Sequence, residues 1–199
     1  MSITLPAAAA TGTRAALRRI VLVLMSGVLL LAGLATLAPA EAEAARPGPF
    51  YYIVAVHSNK PIMPLFHSKD HGAEIIQANW QDGGALHWKI RRSGTIDGQE
   101  RIRRFENRHS KYCVSSRGYQ SPVGLTQSQC TSFHTLSEEW TVSSANDMWA
   151  GRPFAVQNRS SKLCMDVAYA STADHARVGQ YYCNGQDNQR FRLVYVSGT

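Results

Sequence analysis

The chain has 199 residues, of which 44% are hydrophobic, and a formal net charge of +7 at neutral pH. Its first 45 residues read as an export signal, and the remaining 154 are enough for one domain with a buried core. The signal holds three arginines and two glutamates, which leaves +6 for the rest. An exported protein meets few nucleic acids, so this charge does not indicate a nucleic-acid partner.

The export signal is recognised from its charge and its apolar stretch. Three arginines precede an uncharged stretch at 20–37, and small residues follow at 40–44 with the spacing that a signal peptidase reads. The arrangement is bacterial in style and predicts a secreted protein, with no stable membrane insertion once residues 1–45 are removed. A retained membrane anchor is the alternative, because the apolar stretch is 18 residues long.

Three similar units fill the remainder of the chain. The segments VAVHSNKPIMP, FENRHSKYCVS and VQNRSSKLCMD align on lysines that are 51 residues apart in both intervals, Lys60, Lys111 and Lys162. Further on, IIQANW, LTQSQC and VGQYYC also align, and each is followed by a polar turn and an aromatic residue. One domain from 46 to 199 is therefore expected, with units at about 46–97, 98–147 and 148–199.

Each unit is expected to form a few short β-strands. Apolar and polar residues alternate at 52–56 and 154–158, and clusters of Gly, Ser, Asn and Asp separate such stretches. A unit of this size cannot bury its own apolar face, so the three units must share one core. Closing the sheet on itself removes open strand edges, which favours an all-β fold built on a threefold β-barrel.

The four cysteines of this exported chain indicate two disulfides, for which three pairings are possible. The repeat favours bonding within each unit, because the pair Cys113–Cys130 holds the same two repeat positions as the pair Cys164–Cys183. In the first unit, Ile62 and Trp80 align with these positions. Two apolar residues at these positions are expected if the positions are buried and close together in every unit, which argues against disulfides between units.

The third unit resembles the ricin B-type lectin domain, a β-trefoil. The resemblance lies in Cys164 followed by Asp166, in VGQYYC at 178–183, and in Asn188 and Gln189 before Phe191. It implies a shallow sugar site on each unit that keeps four residues, which here are Asp166, Tyr181, Asn188 and Gln189. In that site the aspartate accepts hydrogen bonds from two neighbouring hydroxyls and the aromatic ring packs on the sugar. The asparagine donates to a hydroxyl, and the glutamine steadies the aspartate.

The same resemblance implies that the first two units have lost their sites. In the second unit the equivalent residues are Ser115, Ser128, Ser137 and Glu138, and in the first they are Pro64, Ala78, Ala85 and Leu86. The third unit departs from the family at Gly179, where many members have a glutamine or a branched residue. Phe191 replaces the usual tryptophan and is expected in the core. One sugar site, on the third unit, is therefore expected.

The sequence thus predicts a secreted β-trefoil that binds a galactose-like or N-acetylated sugar, without catalysis and without a cofactor. In this prediction, Asp166→Ala abolishes glycan retention and leaves the melting curve nearly unchanged. The alternative is a β-trefoil that binds a protein, as a secreted hydrolase inhibitor or as a toxin accessory subunit. The two units that lack sugar residues favour this alternative, because a surface released from sugar binding can serve a protein.

The other polar residues of the chain have simpler explanations than a ligand site. A lone Asp166 would more simply be a turn residue at a strand end. The glutamines shared by all three units are expected to serve the scaffold: Gln77, Gln127 and Gln180. The arginines at 91–108 are expected to form a solvated face or to attract anionic polymers rather than nucleic acid. His67 and His71 lack a third ligand nearby, so no metal site is expected.

Overall fold

The structure is a computed structural model that describes residues 50–131 and 135–198. The export signal expected at 1–45 lies outside the described residues. Within the described part of the chain, no helix combines the length and the apolar character that crossing a bilayer requires.

The described residues form mainly short β-strands. The strands are β1 (Phe50–Ala55), β2 (Ile62–Pro64), β3 (Ile75–Gln77), β4 (Trp88–Ile96), β5 (Gln99–Asn107), β6 (Tyr112–Ser115), β7 (Val123–Gly124), β8 (Thr126–Gln129), β9 (Trp140–Val142), β10 (Phe154–Asn158), β11 (Cys164–Val167), β12 (Val178–Tyr181) and β13 (Arg190–Tyr195). One short helix, α1 (Ala145–Trp149), follows β9, and single 3₁₀ turns lie at Leu65–His67, Gly84–Leu86, Leu136–Glu138, Ala168–Ala170 and Asp187–Gln189.

Six of these strands close into a barrel. Each pairs antiparallel with two neighbours, in the order β1, β4, β5, β9, β10, β13 and back to β1. The other strands form one hairpin in each unit, β2–β3, β6–β8 and β11–β12. This arrangement is a β-trefoil, so the predicted all-β fold with three related units is confirmed.

The three hairpins also contact each other. β7, which lies between β6 and β8, pairs with β12 of the third unit through Gly124 and Gly179. Isolated bridges make the two corresponding contacts, between Glu74 and Thr126 and between Ile76 and Arg177. Each hairpin therefore supplies part of the surroundings of the next one, although the two are about 50 residues apart in sequence.

The units share one apolar core. Trp88, Trp140 and Phe191, the aromatic residues that end each repeat, are fully buried in the same cluster. The indole N–H of Trp88 donates to the Ile62 carbonyl at 2.9 Å, and that of Trp140 donates to the Val114 carbonyl at 3.1 Å. The prediction that Phe191 is a core residue is confirmed, and the phenyl ring fills the position without such a donor.

The hairpin pairing corrects the alignment of the first unit by one residue. The residues opposite the three shared glutamines are Ile62, Val114 and Met165. Ile62 therefore corresponds to Val114 and Met165, and Pro61 stands at the position of Cys113 and Cys164. The prediction for Ile62 was wrong because Lys60 was aligned with Lys111 and Lys162. Lys111 and Lys162 have a left-handed φ near 60°, and the residue of the first unit with this conformation in the corresponding turn is Asn59.

Trp80 holds the position of the second cysteine, as predicted. Its indole N–H donates to the Asn59 carbonyl at 2.8 Å, and the sulfur atoms of Cys130 and Cys183 lie 3.5 and 3.9 Å from the corresponding carbonyls. The same pairing shows that Met63, and not Pro64, is the counterpart of Asp166 in the first unit.

Both predicted disulfides are present and lie within single units. Cys113 bonds to Cys130 and Cys164 bonds to Cys183, with sequence separations of 17 and 19 residues. Each bond closes one hairpin, and loops of this length imply a stabilisation of about 3 kcal/mol per bond. Two disulfides are consistent with an extracellular protein.

The three shared glutamines join neighbouring units, which confirms their scaffold role. Each side-chain carbonyl accepts from a serine of its own unit at 2.7 or 2.8 Å, and the three serines are Ser58, Ser110 and Ser161. Each side-chain NH₂ donates to two carbonyls in the hairpin loop of another unit. Gln180, for example, donates to Gly118 and Gln120, and so holds the loop that precedes β7.

Candidate functional site

The third unit carries a surface cavity of about 590 Å³. Its lining comes from β11, β12 and the turns at Ala168–Ala170 and Asp187–Gln189, and one wall comes from 122–124 of the second unit. Asp166, Tyr181 and Asn188 all line it. Gln189 is fully buried and bonds to Asp166 from behind, so the structure brings the four sequence-predicted residues together.

Asp166 lies inside β11 and is only 7% exposed. Its Oδ2 accepts hydrogen bonds from Asn188 Nδ2 and from Gln189 Nε2, both at 2.9 Å. Among the described residues its Oδ1 has no donor, so the carboxylate keeps an acceptor for a ligand. Asp166 is therefore not a turn residue at a strand end, because it sits within a paired strand and its side chain is held by two amides.

Gln189 fixes the position of the carboxylate, as the resemblance implies. Its Nε2 also donates to the Tyr182 carbonyl at 2.9 Å, and its Oε1 accepts from the backbone N–H of Asn184 at 2.9 Å. In the second unit, Glu138 holds the corresponding place and accepts from the backbone N–H of Thr131 at 3.2 Å. The link to this loop is therefore a property of the scaffold, and only the link to Asp166 is particular to the third unit.

Asn188 differs from the expectation that its amide donates to a sugar hydroxyl. Its Nδ2 donates to Asp166 Oδ2 at 2.9 Å and to the Val167 carbonyl at 3.1 Å, which uses both of its hydrogens. Its Oδ1 is buried and has no hydrogen-bond partner. In this structure Asn188 therefore holds the Asp166 carboxylate in place and has no free donor for a ligand.

The charge of Asp166 is held in a desolvated place. Burial raises the pKa of its carboxyl above the ordinary value, and the hydrogen bonds from Gln189 and Asn188 and the nearby His57 lower it in part. A carboxylate that has lost water and still has a free acceptor gains most from a ligand that brings hydroxyl donors.

Tyr181 supplies an aromatic surface at the end of β12. Its side chain is 42% exposed, and its ring contacts the edge of the Tyr182 ring with the centroids 5.6 Å apart. Tyr181 pairs with Cys164 in the hairpin, so the disulfide between Cys164 and Cys183 holds this end of the strand. The Tyr181 ring and the Asp166 carboxylate thus line the same cavity, and a flat aromatic ring suits the C–H side of a sugar ring.

Gly179 is explained by the neighbouring unit. A Cβ atom on Gly179 would lie 2.7 Å from the Val123 carbonyl oxygen, closer than any side chain tolerates. Glycine is therefore required by the pairing of β12 with β7. The departure from the family pattern at this position has a structural reason in this chain.

Two further lining residues were not found from the sequence, Tyr169 and Arg177. Tyr169 is 97% exposed and lies in the turn that follows β11. A usable signal was present, because Tyr169 comes three residues after Asp166 and Phe66 comes three residues after its counterpart Met63. The wall at 122–124 had no such signal, since it belongs to another unit.

The corresponding places in the other units are filled by their own side chains. In the first unit, Met63, Ala78 and Leu86 are buried in a second apolar cluster. In the second unit, Glu138 is buried and Ser128 donates to its Oε1 at 3.1 Å. These contacts support the expectation that neither unit keeps the residues of a sugar site.

The basic stretch does not form a continuous cationic face. Most of its arginines have acidic or aromatic partners, namely Arg91 with Glu106, Arg92 with Glu100 at 2.7 Å, Arg104 with Glu139 at 3.4 Å, and Arg108 over the Phe50 ring at 4.7 Å. Arg103 is buried. The described residues also contain no group of three or more His, Cys, Asp or Glu side chains placed to hold a metal ion.

Comparison with a family model supports the resemblance in the last part of the chain. Residues 136–199 match the family described as ricin-type beta-trefoil lectin domain-like. This range contains β9 to β13 and therefore all four sequence-predicted site residues. The comparison with curated protein sequences gives no match.

Solved structures show the same fold. A designed 3-fold symmetric protein, ThreeFoil, matches with a TM-score of 0.64 and 26% identity over 74% of this chain and 99% of that chain. The C-half of the earthworm R-type lectin, in complex with GalNAc, matches with a TM-score of 0.54 and 15% identity over 74% of this chain and 99% of that chain. Cytolethal distending toxin from Actinobacillus actinomycetemcomitans matches with a TM-score of 0.59 and 16% identity over 75% of this chain and 93% of that chain. The described residues thus have the β-trefoil fold of these proteins.

Proposed function

We propose that this protein binds carbohydrate without catalysis, through one site on its third unit formed by Asp166, Tyr181, Asn188 and Gln189. The observation that carries the proposal is the carboxylate of Asp166, whose Oδ2 is held by two amides while Oδ1 keeps a free acceptor, in a cavity that Tyr181 also lines. The proposed ligand is a galactose-like or N-acetylated sugar.

The chemistry of the cavity suits a sugar. Neighbouring hydroxyl groups of a pyranose donate hydrogen bonds to paired oxygen acceptors, and one charged acceptor strengthens such bonds about twofold. The apolar face of the ring then packs on an aromatic side chain. Asp166 supplies the charged acceptor and Tyr181 supplies the ring, while Asn188 and Gln189 keep the carboxylate in place.

The same cavity argues for binding rather than hydrolysis. Glycosidases use two carboxyl groups on opposite sides of the scissile bond. Among the described residues that line this cavity, Asp166 is the single carboxylate. Its Oδ2 is already occupied by two amides, which fits a fixed hydrogen-bond acceptor.

The comparisons support this proposal. The family model that includes the four residues describes a lectin-like domain, and a matched structure was solved with GalNAc bound. A single shallow site has an affinity near the millimolar range, about 4 kcal/mol. Useful retention therefore requires dense glycans, self-association or a further chain that binds.

A glycan array with two matched variants tests the proposal. Asp166→Asn keeps an oxygen that accepts from Asn188 and Gln189, and it replaces the free acceptor with an NH₂ group. We expect this change to lower retention on sugar spots at least tenfold, since a charged hydrogen-bond acceptor is lost. Asp187→Asn removes the same charge from an exposed neighbour that does not line the cavity, and it should retain binding. Equal binding by both variants would refute the assigned site.

The second candidate function is a protein-binding scaffold, either a secreted hydrolase inhibitor or a toxin accessory subunit. The observation that favours it is the match to a cytolethal distending toxin, together with two units whose sugar positions are filled. A pull-down from culture supernatant separates the two functions. A stoichiometric protein partner with no signal on any glycan would support the scaffold and overturn the proposed sugar binding.

A further inference from the structure

Tyr169 is the most exposed large apolar side chain of the described residues, and it lines the cavity of the third unit. It is 97% exposed, so the fold gains little from its ring. Its backbone is also unfavourable, because Tyr169 has a φ of 57° and Ala170 a φ of 49°, in the left-handed region that non-glycine residues avoid. The side chain contributes mainly surface beside the cavity.

The first unit contains a matched case. Phe66 and His67 have the same left-handed backbone, with φ of 53° and 57°, and Phe66 is 77% exposed. The turn itself is therefore a property of the scaffold and does not by itself indicate a ligand. The two units differ in the residue three positions before the ring. Met63, before Phe66, is buried in an apolar cluster, whereas Asp166, before Tyr169, lines the open cavity that Tyr169 also borders.

The cavity is longer than one sugar ring. Arg177 and Tyr181 both line it and lie four residues apart on either side of Gly179, which corresponds to about 13 Å along an extended strand. Its volume of about 590 Å³ also falls in the range of roughly 300–1,000 Å³ that accommodates ligands of drug size. A single pyranose held by Asp166, Asn188 and Tyr181 would leave part of this space open.

The remaining space has the groups that a second sugar residue requires. The Tyr169 ring supplies an aromatic face. The Arg177 guanidinium uses Nη2 in an ion pair with the Glu74 carboxylate, at 2.9 and 3.1 Å from its two oxygens, and its other N–H groups can donate to a ligand. The segment 122–124 of the second unit forms a wall on this part of the lining. The loop before this wall is held by Gln180, so the wall is fixed before any ligand arrives.

We propose that the cavity binds at least two linked sugar residues, the terminal one at Asp166 and the next one on the ring of Tyr169. This inference rests on the proposed function and names its ligand class, a glycan of two or more residues. The second sugar packs on Tyr169 and its hydroxyls accept from Arg177. Discrimination between glycans with the same terminal sugar is then set by these two residues.

NMR titration with matched probes tests the inference. The probes are methyl β-galactoside with lactose, and methyl β-N-acetylglucosaminide with N,N′-diacetylchitobiose. In the wild-type protein, the disaccharide of the responding pair should bind about five- to tenfold more tightly than its methyl glycoside, as a ring contact of this kind implies. Tyr169→Ala should abolish this advantage and leave the methyl glycoside affinity unchanged. Phe66→Ala is the matched control and should change neither affinity.

The possible failures are distinguishable. Equal affinities for the two members of a responding pair would overturn the second subsite and leave the primary site intact. The same holds if Tyr169→Ala and Phe66→Ala have equal effects. Binding of a methyl glycoside that survives Asp166→Asn would instead overturn the primary site. No binding of any of the four probes to the wild-type protein would overturn both proposals for these sugars.

Discussion

Replacing Asp166 separates its role in the fold from its proposed role in binding. Its Oδ2 accepts two hydrogen bonds of 2.9 Å, from Asn188 and from Gln189, at a position that is only 7% exposed. Alanine would leave one N–H of each amide without that acceptor, while the bonds to the Val167 and Tyr182 carbonyls remain. A buried polar group that loses its partner costs about 1–3 kcal/mol.

Two effects reduce this cost. Water in the cavity can reach the amide of Asn188, which lines it, and removal of a desolvated carboxylate recovers part of its burial penalty. We therefore expect Asp166→Ala to lower the free energy of unfolding by about 1–2 kcal/mol, or Tm by about 2–8 °C for a chain of this size. This revises the expectation from sequence that the melting curve stays nearly unchanged. Asp166→Asn keeps the shared acceptor and should melt at or slightly above the wild-type temperature.

The assay combines thermal unfolding, followed by circular dichroism, with retention on a glycan array. Both Asp166 variants should lose retention, and only the alanine variant should lose stability. Asp187→Asn controls for the loss of one negative charge in the same unit. An alanine variant that melts with the wild-type protein would refute the reasoning, because the two amides would then not depend on Oδ2. Equal destabilisation by asparagine would refute it as well.

Three further predictions follow from the geometry. Burial raises the pKa of the Asp166 carboxyl, so on acidification glycan retention should fall at a higher pH than it would with an ordinary carboxyl. The effect of this carboxyl on stability has the opposite sign. Its contribution to the free energy of unfolding is present below the unfolded-state pKa and is lost as the pH rises through the folded-state pKa. Titrating retention between about pH 7 and 4 checks this, and a constant signal would contradict it. Replacing Cys164 and Cys183 by serine should lower the free energy of unfolding, measured by denaturant titration, by about 3 kcal/mol, and an unchanged value would show that the bond does not stabilise the fold. Gly179→Ala should lower the free energy of unfolding by about 1–3 kcal/mol and weaken glycan retention, because the new Cβ would displace Val123. Gly84→Ala is the control, since a Cβ there would make only ordinary contacts. Equal effects of the two substitutions would count against β7 as a wall of the cavity.

The fold and most of the site could be predicted because they depend on repeated short motifs. Three aligned aromatic residues, Trp88, Trp140 and Phe191, predicted a shared core, and the structure places them in one cluster. The repeat positions of the four cysteines predicted both disulfides. Period-two patterns and fixed spacings survive in sequence, since each residue's environment repeats from unit to unit.

The errors arose where contacts between segments decide the outcome. Lys60 was aligned with Lys111 and Lys162, but the left-handed residue of the first unit is Asn59, so Ile62 and Pro64 were placed one residue away from their true counterparts. A one-residue shift moves a side chain to the opposite face of a strand, and only the hairpin pairing reveals it. The wall at 122–124 comes from another unit, and no motif within the third unit contains it.

The three units act as internal controls for assigning roles to residues. Gln77, Gln127 and Gln180 make the same kinds of bonds in every unit, including the two whose sugar positions are filled, so these bonds are needed by the fold. Gln189 shares its loop contact with Glu138, and only its bond to Asp166 is particular to the third unit. A side chain that differs between units and makes no contact that the fold needs is a candidate for binding; Gly179 also differs, but its pairing with β7 requires it. Tyr169 and Tyr181 are exposed, line the open cavity and remain after this comparison, so their removal should affect ligands more than stability.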